Sequence, residues 1–306
     1  MANHAPSETS TSTTVPGTRP ACYLCGTGDP KLLVELDRYN VLRCVNCSFV
    51  YSDFPADQAA SLYDEHYFHE DFGPYFAESF GEVENGPLRK KFEEYAGVLA
   101  EFSPPPGELL DVGCAAGLFL DVARERGWNV QGLELSPHAV KVAREHFGLT
   151  VHEGDFAAVD LEEGSFDAIT LLDVLEHLYE PSESLQRIKA LLRPGGILMV
   201  VLPNDRNLTT MVSRGAYHAT RGRVSYPASR VHQIYHPCYY TPKTLTGLLR
   251  REGFEILAVR PDETLRELLN EPAYVRAAVS VLFGVSRLLK LQNKMLVVAR
   301  RPGGAA

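Results

Sequence analysis

Glu108-Leu-Leu-Asp111-Val-Gly113-Cys-Ala115-Ala-Gly117-Leu-Phe-Leu120 is the stretch on which the rest of the chain is organised. Its apolar start predicts a short buried strand over 109–112, and its small residues a tight turn over 113–117. A helix with one apolar side should then run over 118–126. A strand, a turn and a helix N-terminus in that order bring backbone N–H groups close to a ligand. The dinucleotide fingerprint G-x-G-x-x-G fits poorly, because counting from Gly113 places Ala115 and Leu118 where its second and third glycines belong.

Asp111-x-Gly113-x-Ala115-x-Gly117 resembles the first motif of the class I methyltransferases that bind S-adenosylmethionine (SAM), commonly D-x-G-x-G-x-G, from which Ala115 departs. Downstream, strand and helix patterns alternate as in a parallel sheet covered on both faces. A strand over 129–133 delivers Glu134, followed by Leu135. At that position an acid can accept hydrogen bonds from both ribose hydroxyls of SAM, and equally of NAD. Ser136-Pro137 caps a helix through 147. Val151-His-Glu-Gly-Asp155-Phe156 resembles the third methyltransferase motif, which implies that Asp155 meets the adenine amino group and Phe156 packs on its ring.

The resemblance sharpens at Phe166-Asp-Ala-Ile-Thr-Leu-Leu-Asp173-Val-Leu-Glu176-His177-Leu and the later Leu-Leu-Arg193-Pro-Gly-Gly196. This run is similar to small-molecule class I methyltransferases, including the ubiquinone-pathway O-methyltransferases, over about residues 105–260. It implies a Rossmann-like α/β fold, mostly parallel with an antiparallel last strand over 294–300. On a helix starting at Asp173, that residue, Glu176 and His177 would share one face. His236 lies far along the chain but precedes a helix that can return to the same rim, whereas His232 reads as a surface side chain. His177 or His236 is a candidate general base, with Glu176 beside them. Asp173-x-x-Glu176-His177 also resembles the E-x-x-E-H run with which metal-dependent O-methyltransferases of small RNAs and ubiquinone precursors hold a divalent ion, His236 being a further candidate ligand.

Near the N-terminus, Cys22-x2-Cys25 and Cys44-x2-Cys47 have the spacing of a structural four-cysteine zinc site. Knuckle turns are expected at Gly26 and Asn46, with a hairpin ribbon over 31–41. A module this short has little core, so zinc would supply much of its folding free energy. This pairing resembles deoxysugar C-methyltransferases, which are longer and carry a further C-terminal domain.

The domains expected are a disordered tail over 1–20, the zinc ribbon over 21–52, a helical and aromatic connector or lid over 53–103, and the methyltransferase domain over 104–306, with an acceptor-site insertion around 205–236. With 306 residues, 45% hydrophobic and 23% charged, the chain can bury a full-sized core. A net charge of −9 argues against a nucleic-acid partner. Arg214, Arg221, Arg223 and Arg230 gather locally, which keeps an anionic acceptor open. No apolar run is long enough to span a membrane, and without a secretory pattern the cytoplasm is the default location. The stretch 265–291 reads as a helix apolar through Leu268, Leu269, Val275, Val279, Leu282 and Leu288, suited to core packing or a homodimer face.

These readings combine into SAM-dependent methylation of a hydroxyl on a small molecule or sugar precursor. Carbon or nitrogen methylation is the alternative chemistry. An NAD-binding oxidoreductase and a noncatalytic SAM-binding module are the alternatives from other classes.

Overall fold

A computed structural model of the chain describes residues 19–59, 86–265 and 273–303. The tail over 1–18 and most of the aromatic connector, including Tyr63, Tyr67, Phe68, Phe72, Tyr75, Phe76 and Phe80, lie outside the described residues, as do Leu268 and Leu269.

The chain begins with the strands β1 (Lys31–Glu35), β2 (Asn40–Arg43) and β3 (Val50–Ser52), followed by the short α1 (Ala56–Ala59) and the long α2 (Pro87–Phe102). The alternating part runs β4 (Glu108–Val112), α3 (Leu118–Glu125), β5 (Asn129–Glu134), α4 (Pro137–Phe147), β6 (Val151–Glu153), β7 (Phe166–Leu172), α5 (Pro181–Leu191) and β8 (Leu192–Pro203). Then come α6 (Leu208–Ala219), α7 (Tyr226–Val231), β9 (Cys238–Tyr239), α8 (Pro242–Arg251), β10 (Glu255–Asp262), α9 (Ala273–Leu289) and β11 (Lys294–Arg300).

Seven strands form one sheet in the order β10-β11-β8-β7-β4-β5-β6. The strands from β6 to β8 are parallel, and β11 runs antiparallel between β8 and β10. The helices start where the sequence marks them. The Ser136 side chain accepts from the Ala139 N–H ahead of Pro137, and Thr241 and Thr244 cap each other reciprocally ahead of α8. The Arg193-Pro-Gly-Gly196 stretch forms the irregular start of β8.

β1, β2 and β3 make a second, antiparallel sheet, and its fourth strand is β9, contributed from far along the chain. Phe49 and Tyr51 of this sheet pack in one apolar cluster with Tyr240, Leu245 and Leu248, so the two sheets share a core. Such burial contributes on the order of 25 cal/mol per Å² of apolar surface.

One expectation fails in the C-terminal third. His232 is fully buried rather than on the surface. Its Nδ1 pairs with the Ala228 carbonyl at 3.0 Å, and Arg214 approaches its Nε2 at 2.6 Å. Arg214 in turn forks onto both oxygens of Asp205 at 3.0 and 2.7 Å, so this arginine is committed within the fold. Among the α9 residues whose burial is described, Phe283 and Ser286 are buried, Val279 and Leu282 are half-buried and Leu288 is 85% exposed.

Candidate functional site

At the C-terminal ends of β4, β5 and β7 the sheet opens into a cavity of about 540 Å³. In open α/β sheets ligands bind in such a crevice. The turn after β4 forms its floor. Gly113 has φ +71°, and a Cβ there would lie 2.5 Å from a Val174 methyl; Gly117 has φ +89°, and a Cβ there would lie 2.5 Å from a Leu149 methyl. Both positions therefore need glycine for conformation and for room. Ala115 also adopts a left-handed backbone, φ +49°, where the motif it resembles has glycine. That conformation costs an L-residue about 1–2 kcal/mol. The bent turn aims the Ala115 N–H at Glu134 Oε2, 2.9 Å away, while Glu134 Oε1 accepts from the Ser136 N–H at 2.9 Å.

Glu134 is only 9% exposed, and burial raises its pKa, opposed by these N–H donors. Leu135 beside it is 57% exposed and lines the cavity. Asp155 and Phe156 line the same wall; the Asp155 carboxylate accepts from the Ala157 N–H at 2.9 Å, and Arg187 lies over the outer face of the Phe156 ring. Asp111, beneath the turn, accepts from the Thr170 hydroxyl at 2.5 Å. Burial pushes its pKa up to about 7. Eight of the nine residues read as cofactor-binding, Asp111, Gly113, Ala115, Glu134, Leu135, Asp155, Phe156 and Asp173, thus line one cavity, whereas Gly117 is not among its lining residues.

Asp173, Glu176 and His177 do not share a helix face. Asp173 has φ +57°, a single 3-10 turn spans Leu175–His177, and Asp173 turns away to pair with Lys294 at the start of β11. Glu176, His177 and His236 come together without it, each offering a ligand atom within 4.8 Å of the others. The His177 ring meets the His236 ring edge-on at 4.6 Å, and its Nδ1 lies 3.0 Å from the Tyr235 carbonyl. A carbonyl only accepts, so Nδ1 carries the proton and Nε2 keeps its lone pair. Glu176 is 2% exposed, and among the described residues neither carboxylate oxygen has a hydrogen-bond partner. Burial and then the Asp173 charge push its pKa well up. Burial pushes His177 down to about 4 and, with the neighbouring His177, holds His236 well below its ordinary value. His177 lines the cavity, with Glu176 and His236 behind it.

Sequence reasoning missed Lys91 and Tyr95 on α2 and Lys294 on β11, which also line the cavity. Lys91 and Tyr95 both engage Asp262 of β10. Their signal was weak, since each sits in an otherwise ordinary helix or strand pattern.

The four cysteines of the small sheet converge, with Cys22 and Cys47 sulfurs 3.6 Å apart and Cys25 and Cys44 sulfurs 3.5 Å apart. All are free thiols. A zinc ion with bonds of about 2.3 Å to a sulfur tetrahedron requires separations of about 3.8 Å, so the cluster fits that ion. Equivalent turns present the pairs: the Gly26 N–H donates to the Cys22 carbonyl at 2.8 Å and the Ser48 N–H to the Cys44 carbonyl at 3.1 Å. Asn46 lies within the second turn, as expected, and Gly26 and Ser48 take the left-handed backbone conformation after the paired cysteines.

Comparison with known proteins agrees with this geometry. A family model described as a methyltransferase domain matches residues 88–259. The ubiquinone biosynthesis O-methyltransferase of Xanthomonas axonopodis pv. citri (strain 306) is 30% identical over 190 residues, 60% of this chain and 74% of that protein. Its counterpart in Cupriavidus pinatubonensis (strain JMP 134 / LMG 1197) is 30% identical over 165 residues, 50% of this chain and 62% of that protein. The match to the enzyme of Xanthomonas campestris pv. campestris (strain B100) spans less than half of that relative, 46%, at 35% identity over 34% of this chain. Among solved structures, the PH0226 protein of Pyrococcus horikoshii OT3 superposes with a TM-score of 0.52 at 15% identity, over 74% of this chain and 98% of that one. Among the described residues no helix is long and apolar enough to cross a membrane. The order of the seven strands, the small-residue turn and the family match over more than half its length place this chain in the methyltransferase-domain family, among the class I SAM-dependent methyltransferases.

Proposed function

We propose that the chain transfers the methyl group of SAM to a hydroxyl of a small-molecule acceptor. The observation that carries the reading is the Glu176 carboxylate, buried with no hydrogen-bond partner among the described residues and beside two imidazoles at the edge of the cavity. Bound SAM supplies an electrophilic methyl carbon on a sulfonium that leaves as a neutral thioether. In this reading Glu134 takes the ribose hydroxyls on the lone pairs its two N–H donors leave free. Leu135 and Phe156 cover the adenine faces and Asp155 meets its amino group, while Asp111 and Asp173 flank the amino-acid end. The chain holds the acceptor oxygen in line with the methyl carbon, which is most of the catalytic task. His177 Nε2 takes the hydroxyl proton as the oxygen–carbon bond forms and the carbon–sulfur bond breaks.

A second reading of the same cluster is favoured by the Glu176 carboxylate, which has no hydrogen-bond partner among the described residues. An imidazole held near 4 is a weak base by itself, and a buried carboxylate without a hydrogen-bond partner is costly. One carboxylate and two imidazoles are a suitable donor set for a divalent ion, which would act as a Lewis acid toward the acceptor oxygen. The four cysteines are proposed to hold a structural zinc ion. O-methylation is also the chemistry in the relatives' names, and sugar hydroxyls fall within the same reaction.

Transfer of radiolabel from SAM to a panel of catechols, nucleotide sugars and carboxylates tests the reading. The expected product carries label on an oxygen; label on carbon or nitrogen, or preferential binding of NAD, would overturn it. A chelator too weak to strip the four-thiolate zinc separates the two roles of the cluster. Loss of turnover restored by a divalent salt supports the cation, and undiminished turnover leaves the proton to His177.

A further inference from the structure

The four-thiol sheet and the Glu176 cluster are joined by backbone. β9 has two residues and pairs with β3, Val50 opposite Tyr239 and Tyr51 opposite Cys238. The Ser52 N–H donates to the Pro237 carbonyl at 2.9 Å. A strand of two residues has no stability of its own, so β3 sets where it lies, and His236 stands two residues before it. The other arm of the cluster is tied to the same module. Tyr179, two residues beyond His177, donates to the Phe54 carbonyl at 3.1 Å, and its ring meets Tyr23 edge-on at 5.7 Å. Tyr23 lies between Cys22 and Cys25 and donates to the Ser52 carbonyl at 3.0 Å. Finally, the Cys238 thiol donates to the Leu178 carbonyl at 3.4 Å and links the arms to each other. Gly113, Glu134 and Asp155, by contrast, hang from β4, β5 and β6 of the other sheet.

We infer that the four-thiolate module is a positioning element for the acceptor side of the site, with Tyr23, Ser52 and Tyr179 as its positioning residues. Metal binding at Cys22, Cys25, Cys44 and Cys47 orders β3, β3 places β9, and β9 holds His236 against His177 and Glu176. This rests on the reading above that the cluster serves the acceptor. Gly113, Glu134 and Asp155, read as holding SAM, follow strands of the other sheet and are no part of the link.

The test uses the full chain with 13C-labelled histidine rings, the His177 and His236 signals being assigned from single histidine variants. The protein is compared loaded with zinc, stripped by a strong chelator and reloaded, with SAM affinity measured by calorimetry in each state. Stripping should move both ring signals and lower acceptor kcat/KM by about 100-fold, as expected of a displaced catalytic group, with SAM affinity unchanged and all effects reversed by zinc. Tyr179→Phe, which removes one hydroxyl and leaves the thiols intact, should shift the His177 signal and lower acceptor kcat/KM without changing SAM affinity. Ring signals unmoved after zinc release, or SAM affinity falling in parallel with them, would overturn the inference. A zinc-loaded protein that binds SAM but methylates nothing would reject the O-methyl reading, while the ring signals would still decide the positioning role.

Discussion

His177 and His236 meet edge-on, ring centroids 4.6 Å apart at 82°, although one follows β7 and the other leads into β9. Their meeting brings the Glu176 carboxylate into a pocket of two neutral imidazoles, and this arrangement is expensive for the fold.

Replacing the carboxylate should separate stability from activity. Glu176→Met removes a buried ionisable group with no hydrogen-bond partner among the described residues, and the protein freed of divalent ions is expected to gain roughly 1–3 kcal/mol in urea denaturation. The same variant should lose methyl transfer while binding SAM normally. A destabilised variant with full turnover would contradict both halves.

Glu134 makes the opposite case. Its two oxygens hold the Ala115 and Ser136 N–H groups and face the cavity. Glu134→Ala should weaken SAM binding by about 1.5–3 kcal/mol, the range for hydrogen bonds to charged groups. Calorimetry and steady-state kinetics would show the change in SAM affinity with little change in the acceptor KM.

Asp111 predicts a pH dependence. Burial raises its folded pKa to about 7, above the usual carboxylate value near 4. Between these values the folded chain keeps a proton that the unfolded chain has released. Its contribution is therefore present below about pH 4 and lost as pH rises toward about 7. Urea denaturation at a series of pH values should show this decline, and Asp111→Asn should flatten it.

Arg214 is the counter-charge of a buried acid. Its fork onto Asp205 lies against the buried His232, so Arg214→Met leaves Asp205 uncompensated and should cost about 3–5 kcal/mol. If thermal and chemical denaturation showed a change within experimental scatter, the ion pair would be idle.

The alternating core was legible because its signals are local. Ser136-Pro137 and Thr241-Pro242 start helices through side chains a few residues away, and the buried strands are short apolar runs between turns. The candidate site was legible as residue types, yet its geometry was not. Asp173 leaves the helix expected of it by taking a left-handed backbone and pairing with Lys294, a partner visible only once β11 closes the sheet. His232 looked like a surface residue because Asp205 and Arg214, which surround it, share no local pattern with it. β9 escaped notice for a similar reason: two residues carry no periodicity, and their pairing with β3 is set by tertiary contact.

The insertion of β11 between β8 and β10 bears on how the chain is made. On the ribosome, the apolar rim of β8 must wait uncovered until β11 emerges, and the small cysteine sheet likewise waits for residues 238 and 239. An open strand rim invites pairing with other chains. Nascent protein arrested before β11 therefore exposes that rim to aggregation, and β11 acts as the keystone of the sheet.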